Sequence, residues 1–181
     1  MKENLEIEYK MMVSKEEFET LRSLCPEQTI LIQRNVYYDC TPSTTLKKMA
    51  MRIRDLQDEH IFTLKIPTEQ GVREIEMNLP ENSVEAFNDP QIKELFESLD
   101  LHYPVHILAE MTTHRHLRVY PEGELCMDHS IINGKDDYEI EFEISQDAEK
   151  GKAFFMDLLK KAGLEYRENH RSKFARCVLG Q

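Results

Sequence analysis

The sequence predicts an α+β fold, a closed eight-stranded antiparallel β-barrel that forms a charged tunnel with helices packed outside it. Two observations favour this fold. Polar and apolar residues alternate with period 2 along most of the chain, and like charges recur on one face of several strands. Helix signals, by contrast, are few and short. With 181 residues, 40% of them hydrophobic, the chain fits one domain that spans residues 1–181.

Helices are predicted where capping residues precede apolar residues at helical spacing. Ser14–Glu17 reads as a capping box, and Asp89–Pro90 reads as an N-cap followed by a proline at the first helical position. A third helix is predicted from Asp147 to the stop at Gly163. A last short helix is predicted over about 170–179.

Strands are predicted where the alternation runs between turn signals such as Gln70–Gly71 and Asn133–Gly134. The eight predicted strands cover residues 5–13, 29–39, 49–57, 60–67, 72–79, 105–120, 124–132 and 137–145.

The composition excludes several classes of function. The formal net charge is −11, which argues against binding to nucleic acid or to an acidic membrane surface, since both require a basic surface. No apolar run is long enough to span a bilayer, and the four cysteines are scattered without a CxxC pair. We therefore expect a cytoplasmic protein with reduced thiols.

Charged residues at i and i+2 fall on one face of a strand, and here the signs are sorted by strand. Glu139, Glu141 and Glu143 share one strand, whereas Arg52 and Arg54 share another. A solvated face has no need of such sorting, because mixed charges would repel less. If the strands close, these faces line the lumen, which must then be wet, internally paired or filled by a ligand of both signs. A complex of Mg²⁺ or Mn²⁺ with a polyphosphate is such a ligand.

Ordered motifs along the chain resemble the CYTH domain, the family of triphosphate tunnel metalloenzymes that includes thiamine triphosphatases, inorganic triphosphatases and class IV adenylate cyclases. The whole pattern is most similar to small CYTH proteins of Gram-positive bacteria. The segments that carry the resemblance are Glu6–Lys10 (ExExK), Gln33–Asp39, Met51–Arg54, Thr63–Lys65, Arg73–Glu76, Arg115, Leu125–Asp128, Glu139–Glu143 (ExExE) and Lys173.

The resemblance implies hydrolysis of a triphosphate and a role for each matching residue. The implied metal ligands for Mg²⁺ or Mn²⁺ are Glu6, Glu8, Glu141 and Glu143, with Glu139 assisting or orienting water. The implied phosphate ligands are Lys10, Arg52, Arg54, Lys65, Arg115 and Lys173, with Glu74 and Glu76 pairing these cations or shaping the wall. The implied catalytic residues are Lys10, Tyr37, Lys65 and Glu139, with Tyr37 beside Lys65 as a proton-handling pair.

Other readings stay open at this stage. The family usually carries a Lys where Thr113 stands, which removes one cation from the expected phosphate site. Cyclisation of ATP to cyclic AMP and non-catalytic binding of polyphosphate or nucleotide are the alternative functions. His114 and His116 have the opposite parity to Arg115, so we expect them at the surface rather than on a metal. A homodimer is one of the oligomeric states left open.

Overall fold

The computed structural model describes residues 1–145 and 147–180. It contains nine β-strands and four α-helices, with a short 3-10 helix over Glu85–Asn88. The strands are β1 (Lys2–Glu6), β2 (Glu8–Met12), β3 (Thr29–Thr41), β4 (Ala50–Leu56), β5 (Glu59–Thr68), β6 (Gly71–Leu79), β7 (His102–Tyr120), β8 (Gly123–Ile132) and β9 (Lys135–Ile144). The helices are α1 (Lys15–Leu24), α2 (Pro90–Ser98), α3 (Ala148–Lys161) and α4 (Lys173–Leu179).

The strands form one sheet in the order β1-β6-β5-β4-β3-β7-β8-β9-β2. The predicted α+β class is confirmed, and every register determined for this sheet is antiparallel. Two details of the prediction are wrong. The described strand order has ends at β1 and β2, so "closed" is too strong, and the sheet has nine strands rather than eight. The extra strand arises because the predicted strand over 5–13 is divided at Ile7, with β1 placed beside β6 and β2 beside β9.

Contacts divide the chain into two compact units, and each has a core of its own. The first unit comprises residues 1–5, 33–111 and those from 174 onwards; the second comprises 6–32 and 112–173. The prediction of a single domain stays a prediction. No helix among the described residues is long and apolar enough to cross a membrane.

The core of the first unit lies between α2 and one face of β3–β6. Phe62, Phe87 and Phe96 are buried there, and their rings pack on one another at centroid distances of 5.9 and 6.1 Å. The helix begins as predicted, because the Asp89 side chain accepts a hydrogen bond from the backbone N–H of Gln91 and Pro90 follows it.

The core of the second unit lies between helices α1 and α3 and one face of β2, β8 and β9. Phe142 stacks on Phe155 of α3 at 5.3 Å. The predicted capping box opens α1, with the Ser14 hydroxyl accepting from Glu17 N–H and the Glu17 carboxylate accepting from Ser14 N–H. In both units the helices therefore pack on the apolar face of the strands, and the charged side chains lie on the opposite face.

Gly123, at the start of β8, should resist substitution because β9 passes close to it. An alanine Cβ there would lie 2.2 Å from the Glu143 carbonyl oxygen and 2.9 Å from the Phe142 ring. We expect Gly123→Ala to lower the free energy of unfolding in urea by about 2–3 kcal/mol. Gly134→Ala is the matched control: nothing lies within 4 Å of its Cβ, and only its positive φ of 77° opposes the change, at about 1 kcal/mol. Equal losses in the two variants would show that the close approach has no energetic consequence.

Candidate functional site

The charged face of the first unit is built by cross-strand rows on β3–β6. One row places Tyr37 opposite Arg52, Arg52 opposite Thr63 and Thr63 opposite Glu76. Residues directly opposite in an antiparallel pair point to the same face, so these side chains share it. The next row along β5 and β6 places Lys65 opposite Glu74. A third pair, Asn35 opposite Arg54, belongs to the same face.

Glu74 forms two long ion pairs on this face. Glu74 Oε1 lies 3.4 Å from Lys65 Nζ and 3.8 Å from Arg52 Nη2. Arg54 Nε donates instead to the amide oxygen of Asn35 at 3.0 Å. The Nε atom of Arg52 is buried and has no hydrogen-bond partner within the described part of the chain. A buried guanidinium N–H without an acceptor is costly, so this position favours an incoming anion.

Tyr37 is buried on this face, and its ring lies 5.1 Å from that of Phe174. The predicted neighbour Lys65 is not its cross-strand partner: Lys65 stands opposite Ala50, whereas Tyr37 stands opposite Arg52. The sequence pattern places both residues on one face of the sheet. The register, however, puts Tyr37 on β3 and Lys65 on β5, with β4 between them and in different cross-strand rows.

The charged face of the second unit holds three carboxylates around two cations. We call Asp128, Glu139 and Glu141 the carboxylate cluster. Arg115 binds Asp128 in a bidentate manner, with distances of 2.8 and 2.7 Å, and also donates to Glu141 Oε2 at 2.8 Å. Lys173 Nζ lies 2.7 Å from an oxygen of each of the three carboxylates.

Burial makes these interactions strong. The side chains of Asp128 and Glu139 are 1% and 0% exposed, and that of Lys173 is 12% exposed. Burial alone would lower the pKa of Lys173, but the neighbouring charges of Asp128, Glu139 and Glu141 outweigh it and raise that pKa well above its usual value. Burial likewise tends to raise the pKa of Asp128, but Arg115 and Lys173 together hold it below its usual value.

The remaining predicted acidic residues flank the cluster on β1, β2 and β9. Lys10 stands opposite Glu141 and donates to Glu8 Oε1 at 2.6 Å. Glu8 stands directly opposite Glu143. Glu6 is half-buried at the end of β1.

The fit of a divalent cation to this face is partial. Opposed carboxylates such as Glu8 and Glu143 repel unless a cation stands near them, and carboxylate oxygens are the donors that Mg²⁺ and Mn²⁺ prefer. However, both oxygens of Glu141 already accept from Arg115 and Lys173. Within residues 1–145 and 147–180, no group of three or more His, Cys, Asp or Glu side chains is arranged to hold a metal ion.

Comparisons with known proteins identify the family of this chain. The model of the CYTH domain matches residues 4–177. The chain belongs to the CYTH domain family. It is 32% identical to a Bacillus subtilis protein named "Putative triphosphatase YjbK", over 93% of this chain and 92% of that protein.

Solved structures share the CYTH fold along nearly the whole chain. One is a Bacillus halodurans protein described as "a putative adenylate cyclase", at 28% identity and a TM-score of 0.85, covering 97% of this chain and 98% of that one. Another, from Hippeastrum, is titled as a "Putative adenylyl cyclase" that "reveals a dominant" triphosphatase activity, at 20% identity and a TM-score of 0.79, covering 98% and 97%. At that identity the second likeness supports the fold alone.

Thr113, the departure from the usual CYTH pattern, is buried on the charged face of β7. Its hydroxyl lies 2.7 Å from that of Ser130, so a neutral hydroxyl pair stands where the resemblance led us to expect a cation. On the other face of the same strand, His116 is half-buried, and its Nδ1 lies 3.0 Å from the amide oxygen of Gln28.

Two residues matter more to this CYTH site than the motifs alone indicated. The motif Leu125–Asp128 did not by itself indicate a role for Asp128, yet Asp128 pairs with both Arg115 and Lys173. Asn169 was missed altogether. Its side-chain N–H donates to Glu139 Oε1 at 2.7 Å, and its backbone N–H donates to the carbonyl of Lys10 at 3.1 Å. The only signal for it was its place four residues before Lys173.

Replacing Asp128 by asparagine should destabilise the protein strongly, because two buried cations lose their shared counter-charge. We expect Asp128→Asn to lower the free energy of unfolding in urea by about 3–5 kcal/mol. Asp136→Asn, which removes an exposed carboxylate paired with His129, should cost less than about 1 kcal/mol. Similar losses for the two variants would contradict the central position of Asp128.

The same carboxylate should make stability depend on pH. Because the folded protein lowers the pKa of Asp128, its contribution is present above the unfolded value of about 4 and is lost as pH falls from there through the folded value. We expect the unfolding free energy of Asp128→Asn to fall less steeply than that of the native protein below about pH 4. Parallel slopes would show that the Asp128 pKa is not lowered.

Proposed function

We propose that the protein hydrolyses a triphosphate, inorganic or organic, in a reaction that depends on Mg²⁺ or Mn²⁺. Family membership supports an enzyme acting on triphosphates, and the printed name of the Bacillus subtilis relative supports hydrolysis. The observation that carries the proposal is the face of the first unit. There Arg52, Arg54 and Lys65 share one side of the sheet, and the buried Nε of Arg52 has no acceptor among the described residues.

Phosphate binding on this face follows from the kind of cation present. Arg presents paired N–H donors that match phosphate oxygens, and Lys adds a point charge. The pairs that these cations make with Glu74 are longer than a strong ion pair. An incoming triphosphate can therefore displace Glu74 from Arg52 without breaking a short ion pair between those two side chains.

The carboxylate face of the second unit is where a divalent cation would bind. Glu6, Glu8, Glu141 and Glu143 would hold it, and it would neutralise charge on the transferred phosphoryl group. Lys10, paired with Glu8 and opposite Glu141, holds the acidic side chains of β2 and β9 together.

In the hydrolysis, a water oxygen attacks the terminal phosphorus, the anhydride P–O bond breaks, and the proton of the water passes to a base. Tyr37 and Lys65 remain the proposed proton-handling residues. Glu139 accepts one hydrogen bond from Asn169 and lies 2.7 Å from Lys173. Through these contacts it orients both side chains.

Adenylate cyclase activity is the second candidate function. The Bacillus halodurans structure, which matches nearly the whole chain at 28% identity, is described as "a putative adenylate cyclase". Binding of polyphosphate or nucleotide without turnover is the third candidate. The three functions differ in product: phosphate, cyclic AMP with diphosphate, or none.

The test is to incubate the protein with inorganic triphosphate, ATP and thiamine triphosphate, each with Mg²⁺, with Mn²⁺ and with EDTA, and to measure phosphate and cyclic AMP. We expect phosphate release that requires metal. Arg52→Gln should lower kcat/KM by about 100-fold, as expected for loss of one charge-stabilising donor. Arg73→Gln is the matched control, because Arg73 pairs with exposed Glu3, and it should remain within about twofold of the native value.

Each contrary outcome has a clear meaning. Cyclic AMP as the main product would replace hydrolysis by cyclisation. Tight triphosphate binding without any product would leave a binding module. Activity that survives EDTA unchanged would contradict metal dependence.

A further inference from the structure

Lys173 was expected to bind phosphate, but its ammonium is surrounded by carboxylates. A lysine ammonium has three donors, and here the three carboxylates of the cluster lie at 2.7 Å from it. The Lys65–Glu74 pair, at 3.4 Å, is longer than each of these contacts. Each of the three donors of Lys173 therefore has a carboxylate oxygen within hydrogen-bonding distance.

Hydrogen bonds to β2 and β9 hold the chain segment before Lys173 and so position its ammonium at the carboxylate cluster. Asn169 is anchored to β2 through the Lys10 carbonyl and to β9 through Glu139. Its own side-chain oxygen accepts from the backbone N–H of Arg171 at 3.0 Å. These hydrogen bonds at Asn169 and the contacts of Lys173 hold both ends of the segment over 169–173 at the carboxylate cluster.

The ammonium of Lys173 already occupies the position from which one cation contacts all three carboxylates of the cluster. A metal ion bound at about 2.0–2.6 Å and an ammonium at 2.7 Å cannot both occupy the same position among these oxygens.

We infer that Lys173 is an internal counter-cation that competes with a divalent metal ion for Glu139 and Glu141. Metal binding to Glu141 breaks its contact with Lys173, so the ammonium leaves the carboxylate cluster as the metal enters. Lys173 is then a positioning residue that holds the carboxylates together and sets the metal concentration at which they bind. The inference rests on the proposed metal dependence, but it concerns metal binding and not turnover.

The experiment measures Mn²⁺ binding to the whole protein without substrate, by electron paramagnetic resonance of free Mn²⁺. Lys173→Met removes the competing charge and keeps a side chain of similar length. We expect it to bind Mn²⁺ at least about tenfold more tightly than the native protein, because a unit charge at contact distance is lost. Lys152→Met, on the exposed side of α3, should leave the affinity unchanged.

A second measurement uses the native protein, in case Lys173→Met fails to fold. The buried ammonium should give a slowly exchanging NH₃⁺ resonance in NMR, assigned by its absence from Lys173→Arg. Titration with Mg²⁺ should abolish or shift this resonance. An unchanged resonance at saturating Mg²⁺, or Mn²⁺ affinity in Lys173→Met that is equal to or weaker than the native affinity, would overturn the inference.

These outcomes are separable from those for the proposed function. A protein that binds Mn²⁺ more tightly when Lys173 is removed, yet releases no phosphate from any triphosphate, would refute the hydrolase and leave the competition intact. A hydrolase whose Mn²⁺ affinity does not respond to Lys173→Met would do the reverse.

Discussion

The burial of Asp128 and Glu139 on neighbouring strands β8 and β9, beside the half-buried Glu141, is the constraint on which the second unit depends. Asp128 and Glu139 are almost fully buried, and isolated charges cannot be buried without compensation. Arg115 supplies one counter-charge from β7, and Lys173 supplies the other from a segment more than thirty residues further along the chain than Glu139. The strand register and the course of the segment over 169–173 therefore have to satisfy one electrostatic requirement together.

The charged faces of the two units differ in how closely their cations and carboxylates are paired. In the first unit, Glu74 forms long ion pairs with Lys65 and Arg52, at 3.4 and 3.8 Å, and the buried Nε of Arg52 has no acceptor among the described residues. In the second unit, Lys10, Arg115 and Lys173 lie 2.6–2.8 Å from carboxylate oxygens. Arginine and lysine side chains suit phosphate oxygens, whereas carboxylates suit cations.

The charged faces are supported by the apolar side chains that lie on the opposite face of the same strands. The aromatic packing of Phe62 and Phe87 in one unit and of Phe142 and Phe155 in the other fixes where each strand lies. Close packing tolerates little displacement, so the backbone that carries the neighbouring charged side chains is held in place. The cores thus contribute to the sites through the backbone of the strands.

Much of this protein is determined by local sequence. Capping residues at Ser14 and Asp89 fix where two helices begin. The period-2 pattern assigns Arg52 and Glu141 each to the charged face of its own strand. Both signals are local because they depend on residues only a few positions apart. The tertiary structure alone decided which cation meets which carboxylate. The division of the first strand at Ile7, the separation of Tyr37 from Lys65, and the roles of Asp128 and Asn169 all depend on strand register and on distant segments brought together. No local pattern encodes those partners, because the ion pairs form only after the strands have paired.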